Sequence, residues 1–123
     1  MSGAPQEQTV SLFYVYYATK LLLTCLPRAE ADIDSHCAFF AEKSYEKALK
    51  FDQAVFESCE RLCEMPLIGT ERNYKNPKLF GIRLWFVKGF EKYLIFYQVT
   101  DESVKVVRLI HAAQDPTRLF SED

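Results

Sequence analysis

The stretch from Phe80 to Ile110, FGIRLWFVKGFEKYLIFYQVTDESVKVVRLI, decides the fold. Its apolar residues recur with a period near two rather than 3.6, which is the pattern of strands. Phe80–Lys88 reads as a first strand, and Gly89-Phe90-Glu91 as the turn that reverses it. Lys92–Thr100 is an almost unbroken apolar run, so it reads as a central strand covered on at least one face. Asp101-Glu102-Ser103 is a hairpin turn, and Val104–Ile110 alternates well enough to be a third strand. Short turns can join strands only in antiparallel fashion, so the three form a meander. In the first of them Arg83, Trp85 and Val87 share one face, and Ile82, Leu84 and Phe86 share the other. One face should carry the core and the other an open surface. An exposed Trp and Arg pair has the composition of an interface hot spot; the alternative places Trp85 in the core.

Upstream the period changes. Residues 67–79 (LIGTERNYKNPKL) have none, and with Gly, two Asn and Pro they read as a loop. Before it, Ser44 is a candidate cap for a helix from about Tyr45 to Glu64, with Ala48, Leu49, Val55, Phe56, Cys59, Leu62 and Cys63 on one face and Pro66 beyond its end. An earlier helix starts at Pro27 and stops near Lys43, with Ala29, Ile33, Cys37 and Phe40 as its apolar stripe. Its first turns hold Glu30, Asp32 and Asp34, which suit the helix dipole. Two helices joined by one or two residues must pack as an antiparallel hairpin. Lys20–Cys25 reads as a short buried strand that joins the later meander. The class is therefore α+β: an N-terminal strand, a two-helix hairpin and a three-stranded meander in one sheet.

The chain has 123 residues and is 49% hydrophobic, enough for one self-sufficient domain and too apolar for a disordered chain. The domain is expected over 19–120, with an N-terminal extension at 1–18 and a tail at 121–123. The longest apolar run, residues 10–26 (VSLFYVYYATKLLLTCL), is interrupted by Lys20. It is short for a membrane span and lacks the basic flank of a signal peptide, so one or two buried strands are expected there. Cys25, Cys37, Cys59 and Cys63 form no C-x-x-C pair and no familiar zinc spacing. They read as packed thiols in a reducing cytoplasm, with no metal or cofactor implied. Net charge is −2, which argues against a dedicated nucleic-acid binder. That figure hides an uneven distribution. Residues 29–64 carry nine acids against four bases, while residues 72–92 carry six cations (Arg72, Lys75, Lys78, Arg83, Lys88, Lys92) against Glu91 alone.

In their order these features resemble the RelE/ParE superfamily of toxin–antitoxin toxins, the ParE-like branch in particular. The resemblance rests on Ala29-Glu30-Ala31-Asp32-Ile33 opening the first helix, Leu62-Cys-Glu-Met-Pro66-Leu-Ile-Gly69 closing the second, Ile82-Arg83, Tyr93-Leu-Ile-Phe-Tyr97, and Arg108-Leu-Ile-His111-Ala-Ala-Gln-Asp115. RelE-like members cut messenger RNA on the ribosome; ParE-like members poison DNA gyrase without an evident catalytic centre.

RNA cleavage without a metal needs a base, cations for the phosphate and an acid for the leaving oxygen. Arg83 matches the strand arginine of the RelE-like set. Gln114 stands where that set has a tail arginine, and Phe120 where it has a tyrosine. A neutral amide does not stabilise a phosphorane as a guanidinium does, and a phenyl ring moves no proton. RelE-type chemistry is thus disfavoured; any nuclease would have to rest on Arg83 and His111. The resemblance implies a toxin inhibiting gyrase by protein–protein contact, with a ribosome-dependent nuclease and a non-toxic antitoxin-binding protein as alternatives. It implies an antitoxin partner, and assembly as a homodimer or a toxin–antitoxin hetero-oligomer. The candidate partner-binding residues are Lys75, Lys78, Arg83, Trp85, Lys88, Arg108 and Gln114. The basic middle segment would suit an acidic antitoxin tail that orders on binding.

Overall fold

The computed structural model describes residues 20–117. The expectations for residues 1–18, for Phe120 and for residues 121–123 lie outside them. The elements in order are β1 (Leu22–Cys25), α1 (Pro27–Ala41), α2 (Tyr45–Glu64), β2 (Thr70–Glu71), a 3₁₀ turn at Pro77–Leu79, β3 (Arg83–Val87), β4 (Phe90–Val99) and β5 (Ser103–His111). The sheet runs β1-β5-β4-β3-β2. Its meander is antiparallel, β4 is the central strand, and β1 joins the far side of β5 in parallel. A parallel neighbour requires a long crossover, and here everything from α1 to β4 lies between the two strands.

The α+β class and the helical hairpin are as the sequence predicts; several details differ. The 67–79 loop contains β2, paired through Thr70 with Leu84 and Glu71 with Arg83, because a two-residue strand carries no readable period. Phe80 is outside β3, since Gly81 adopts φ +75° and breaks the extended chain. The hairpin turns at Lys88-Gly89, with Gly89 at φ +87°, and Phe90 and Glu91 already belong to β4. The first strand is not buried: Leu22 is 68% exposed, because β1 is an edge.

Ser44 caps α2 as expected, its Oγ accepting from the Lys47 N–H at 3.1 Å. The buried face of α2 is Ala48, Phe51, Val55, Ser58, Cys59, Leu62 and Cys63. Leu49 and Phe56, expected in it, point to solvent. This face and α1 cover one side of the sheet over Val87, Ile95, Tyr97, Val104, Val106 and Leu109. Trp85 packs half-buried on this same core, so the core alternative is the observed one. The opposite side is not the open surface expected. Leu79, Ile82, Phe96, Val107 and Ile110 form a second buried cluster, with Tyr74 and Leu84 packed on it. The segment before β3 folds over that side of the sheet.

Beyond Cys25, no described strand lies on the β1 side of β5, and α1 takes the place of one. The Leu26 N–H donates to the Val106 carbonyl at 3.0 Å. Further along, the Leu109 N–H donates to Asp32 Oδ2 at 2.9 Å, and His36 Nε2 donates to the Leu109 carbonyl at 2.8 Å. Two helix side chains thus satisfy a donor and an acceptor that a sheet edge would otherwise leave open.

Burial pushes the Cys59 thiol up to about 12, with Cys25 and Cys63 nearby adding to the effect. A thiol that holds its proton longer in the folded state than in the unfolded one favours unfolding once the unfolded thiol ionises. Its stabilising contribution is complete below pH 9 and is lost as pH rises from 9 towards 12. Urea titrations between pH 8 and 11 should therefore show a falling midpoint, and Cys59→Ala should flatten that fall.

Candidate interaction surface

Residues 72–82 lead from β2 into β3 and carry several exposed side chains. Tyr74 and Leu79 anchor the segment in the second apolar cluster. The Asn76 side chain accepts from the Lys78 N–H at 3.0 Å and starts the 3₁₀ turn. Gln98 Nε2 of β4 donates both to the Lys78 carbonyl, at 2.9 Å, and to the Phe80 carbonyl, at 3.0 Å. These bonds fix a tip on which Lys75 and Lys78 are exposed and Phe80 is 86% exposed. An exposed phenyl ring on a segment that also carries two exposed lysines suits an acidic partner with an apolar recess. The sequence reading passes over Phe80 by placing it in the strand; its signal is the adjoining Gly81, which ends the extended conformation.

The other candidates are spread around the molecule. Lys88 is exposed at the opposite end of β3, roughly 17 Å from the tip by strand rise. Its N–H donates to Ser58 Oγ at 3.0 Å. Beside it runs a groove of about 510 Å³ between α2 and β3, lined by Ala54, Glu57, Arg61 and Trp85 among others. Arg108 is no surface residue. It is 5% exposed and grips Asp32, with Nε to Oδ2 at 2.8 Å and Nη2 to Oδ1 at 3.0 Å. Gln114 caps the end of β5, its Oε1 accepting from the His111 N–H at 2.9 Å.

Arg83 and His111 are far apart. Arg83 pairs with Tyr97 and His111 with Tyr93, so they sit four residues apart along β4 and on opposite sides of it. That is about 13 Å along the strands and about 10 Å across them. Each is also engaged locally. Arg83 Nη1 donates to the Gly69 carbonyl at 2.7 Å and to the Leu67 carbonyl at 3.3 Å. His111 Nδ1 accepts from the Ala113 N–H at 3.0 Å, and its ring meets Tyr93 edge-on with centroids 4.9 Å apart. The Gly69 that Arg83 grips is also held by Tyr97, whose hydroxyl donates to the Pro66 carbonyl at 2.7 Å and accepts the Gly69 N–H at 2.9 Å. Burial raises the Tyr97 phenol; the Gly69 hydrogen bond and the Arg83 charge partly oppose this.

A family model described as the ParE toxin of the type II toxin–antitoxin system parDE matches residues 23–116. The chain belongs to the ParE toxin family. Among solved structures, one chain of a chromosomal ParDE toxin–antitoxin system from P. aeruginosa has the same fold, with a TM-score of 0.61 and 21% identity over 76% of this chain and 97% of that one. No curated protein matches. The ParE match spans every described strand but the first residue of β1, and it includes the Pro66–Gly69 clamp with Arg83 and Tyr97. Among the described residues, no three His, Cys, Asp or Glu side chains could together hold a metal, and no helix is long and apolar enough to cross a membrane.

Proposed function

We propose that this ParE-family toxin acts by binding DNA gyrase rather than by cutting RNA, and that a cognate antitoxin neutralises it. The observation that carries the non-catalytic part is the separation of Arg83 and His111. One phosphodiester cannot meet both groups, and both make hydrogen bonds within the fold. General acid–base catalysis needs its groups within hydrogen-bond reach of the same reacting centre. The gyrase target and the antitoxin come from the family likeness. The P. aeruginosa relative is a toxin–antitoxin system by its own description. An antitoxin with an acidic, partly apolar tail would suit the exposed lysines and phenyl ring of the Lys75–Lys78–Phe80 tip.

The direct test adds purified protein to a gyrase supercoiling assay. Supercoiling should stop, or cleaved DNA accumulate, and the antitoxin encoded beside the gene should restore activity. Untouched gyrase at micromolar excess, with cleaved messages in primer extension, would establish the nuclease reading instead. For the tip, Phe80→Ala should weaken antitoxin binding by about 2 kcal/mol, roughly thirtyfold, the loss typical of a central aromatic anchor. Because the ring is solvent-exposed, the urea midpoint should hardly move. An unchanged Kd would remove the tip from the interface.

A further inference from the structure

The charge of the described chain is divided across the sheet. The two helices cover one side, and residues 29–64, nearly all of them helical, carry nine acids against four bases. The other side gathers lysines around its apolar cluster. Gln98 holds the carbonyls of Lys78 and Phe80, so its side chain lies on that side. Lys105 is the direct partner of Gln98 across the β4–β5 pair and shares its face. Lys92 alternates with Leu94 and Phe96 along β4, and both of these lie in the cluster. Lys75 and Lys78 come from the segment that folds over it, anchored by Tyr74 and Leu79. Lys75, Lys78 and Lys92 are exposed, and Lys105 is partly so. Among the described residues none of the four is in an ion pair. β5 contains no acid, and the one acid of β4, Glu91, lines the groove against α2 on the other side.

We propose that this lysine-bearing face binds the phosphate backbone of duplex DNA. Lys92 is six residues along β4 from Gln98, so the face extends about 20 Å. Over that length a duplex presents on the order of a dozen charges, one for every ~1.7 Å of its axis. Ammonium groups on phosphates carry no sequence information, so the binding is independent of sequence. The face suits a duplex better than single-stranded RNA. Single strands are held by rings on which their bases stack. Here Tyr74 and Phe96 are packed into the cluster, and Phe80 is the exposed ring. The net charge of −2 keeps the affinity low, as suits a contact made to DNA that another protein presents. In that respect the proposal rests on the gyrase reading, in which gyrase supplies the duplex.

Fluorescence anisotropy with the full-length protein and a labelled duplex of about 20 base pairs tests this across a range of low salt concentrations. The logarithm of the affinity should fall with that of the salt concentration at a slope of about −3.6, or about 0.9 for each of four phosphates. Lys78→Ala/Lys105→Ala should reduce the slope to about −1.8 and lower the affinity about tenfold at the lowest salt. Lys43→Ala/Lys50→Ala removes the same charge from the helical hairpin and should leave the slope unchanged. Absence of binding at the lowest salt would overturn the proposal. So would an equal loss in both double variants, which would mark net charge alone, or tighter binding to a single-stranded RNA of the same length. A parallel supercoiling assay keeps the two readings apart. Gyrase inhibited without duplex binding would overturn this face and leave the gyrase target standing; duplex bound with gyrase untouched would support the face and remove the target.

Discussion

Asp32→Ala is expected to destabilise the domain by about 3–5 kcal/mol, the usual result of removing one partner of a buried ion pair. The carboxylate of Asp32 accepts two hydrogen bonds from Arg108 and one from the Leu109 backbone. Arg108 is almost wholly buried, so its guanidinium would lose the two hydrogen bonds and the charge of Asp32 where water cannot replace them. The Leu109 N–H would lose its acceptor in the same step. Urea denaturation measures the loss directly. Asp32→Asn should recover only part of it, because an amide keeps one acceptor oxygen and no charge. A loss under 1 kcal/mol for Asp32→Ala would mean that Arg108 has an equally good alternative.

Gly69→Ala is expected to cost about 2–3 kcal/mol, from overpacking together with broken hydrogen bonds. A Cβ at this position would lie 2.4 Å from the Tyr97 hydroxyl oxygen and 2.9 Å from the Leu84 carbonyl oxygen. Tyr97 is fully buried, and its ring has no room to retreat. The added methyl would push the hydroxyl away from both Pro66 and Gly69. It would also loosen the carbonyl that Arg83 holds. The thermal midpoint should fall by about 10 °C or more, given the usual 4–8 °C per kcal/mol for a domain of this size. Tyr97→Phe, which removes the hydroxyl without adding volume, should cost about half as much. If the two variants proved equal, lost hydrogen bonds alone would account for the effect of Gly69→Ala.

Long periodic elements are where sequence and structure agree. The two helices and strands β4 and β5 all carry patterns that extend over several turns or alternations, and such patterns average out local exceptions. The failures are local. Leu49 and Phe56 satisfy helical spacing yet lie just off the buried arc, where Phe51 and Ser58 stand. β2 is too short to have a period. The segment 72–80 reads as a polar loop, although Tyr74 and Leu79 turn inward to cover the second face of the sheet. Arg108 is the instructive case among the candidate binding residues. Charge and position on a strand point outward, but its partner lies 76 residues away. No local pattern reports a contact at that distance. The same holds for Arg83 and His111, whose types fit a shared chemistry and whose positions keep them apart.

The pairing of β1 with β5, and of α1 with the end of β5, has a kinetic consequence. The bonds from Asp32 to Arg108 and Leu109 span 76 and 77 residues, and such long-range closures are slow steps in folding. During synthesis the chain emerges from its N-terminal end. The helical hairpin can therefore form early, but β1 lacks the described strand it pairs with, and Asp32 lacks the Arg108 guanidinium, until β5 leaves the ribosome. The domain assembles only when nearly all of it has been made, so a prematurely ended chain that lacks β5 should yield an unfolded, protease-sensitive fragment rather than a partly active toxin.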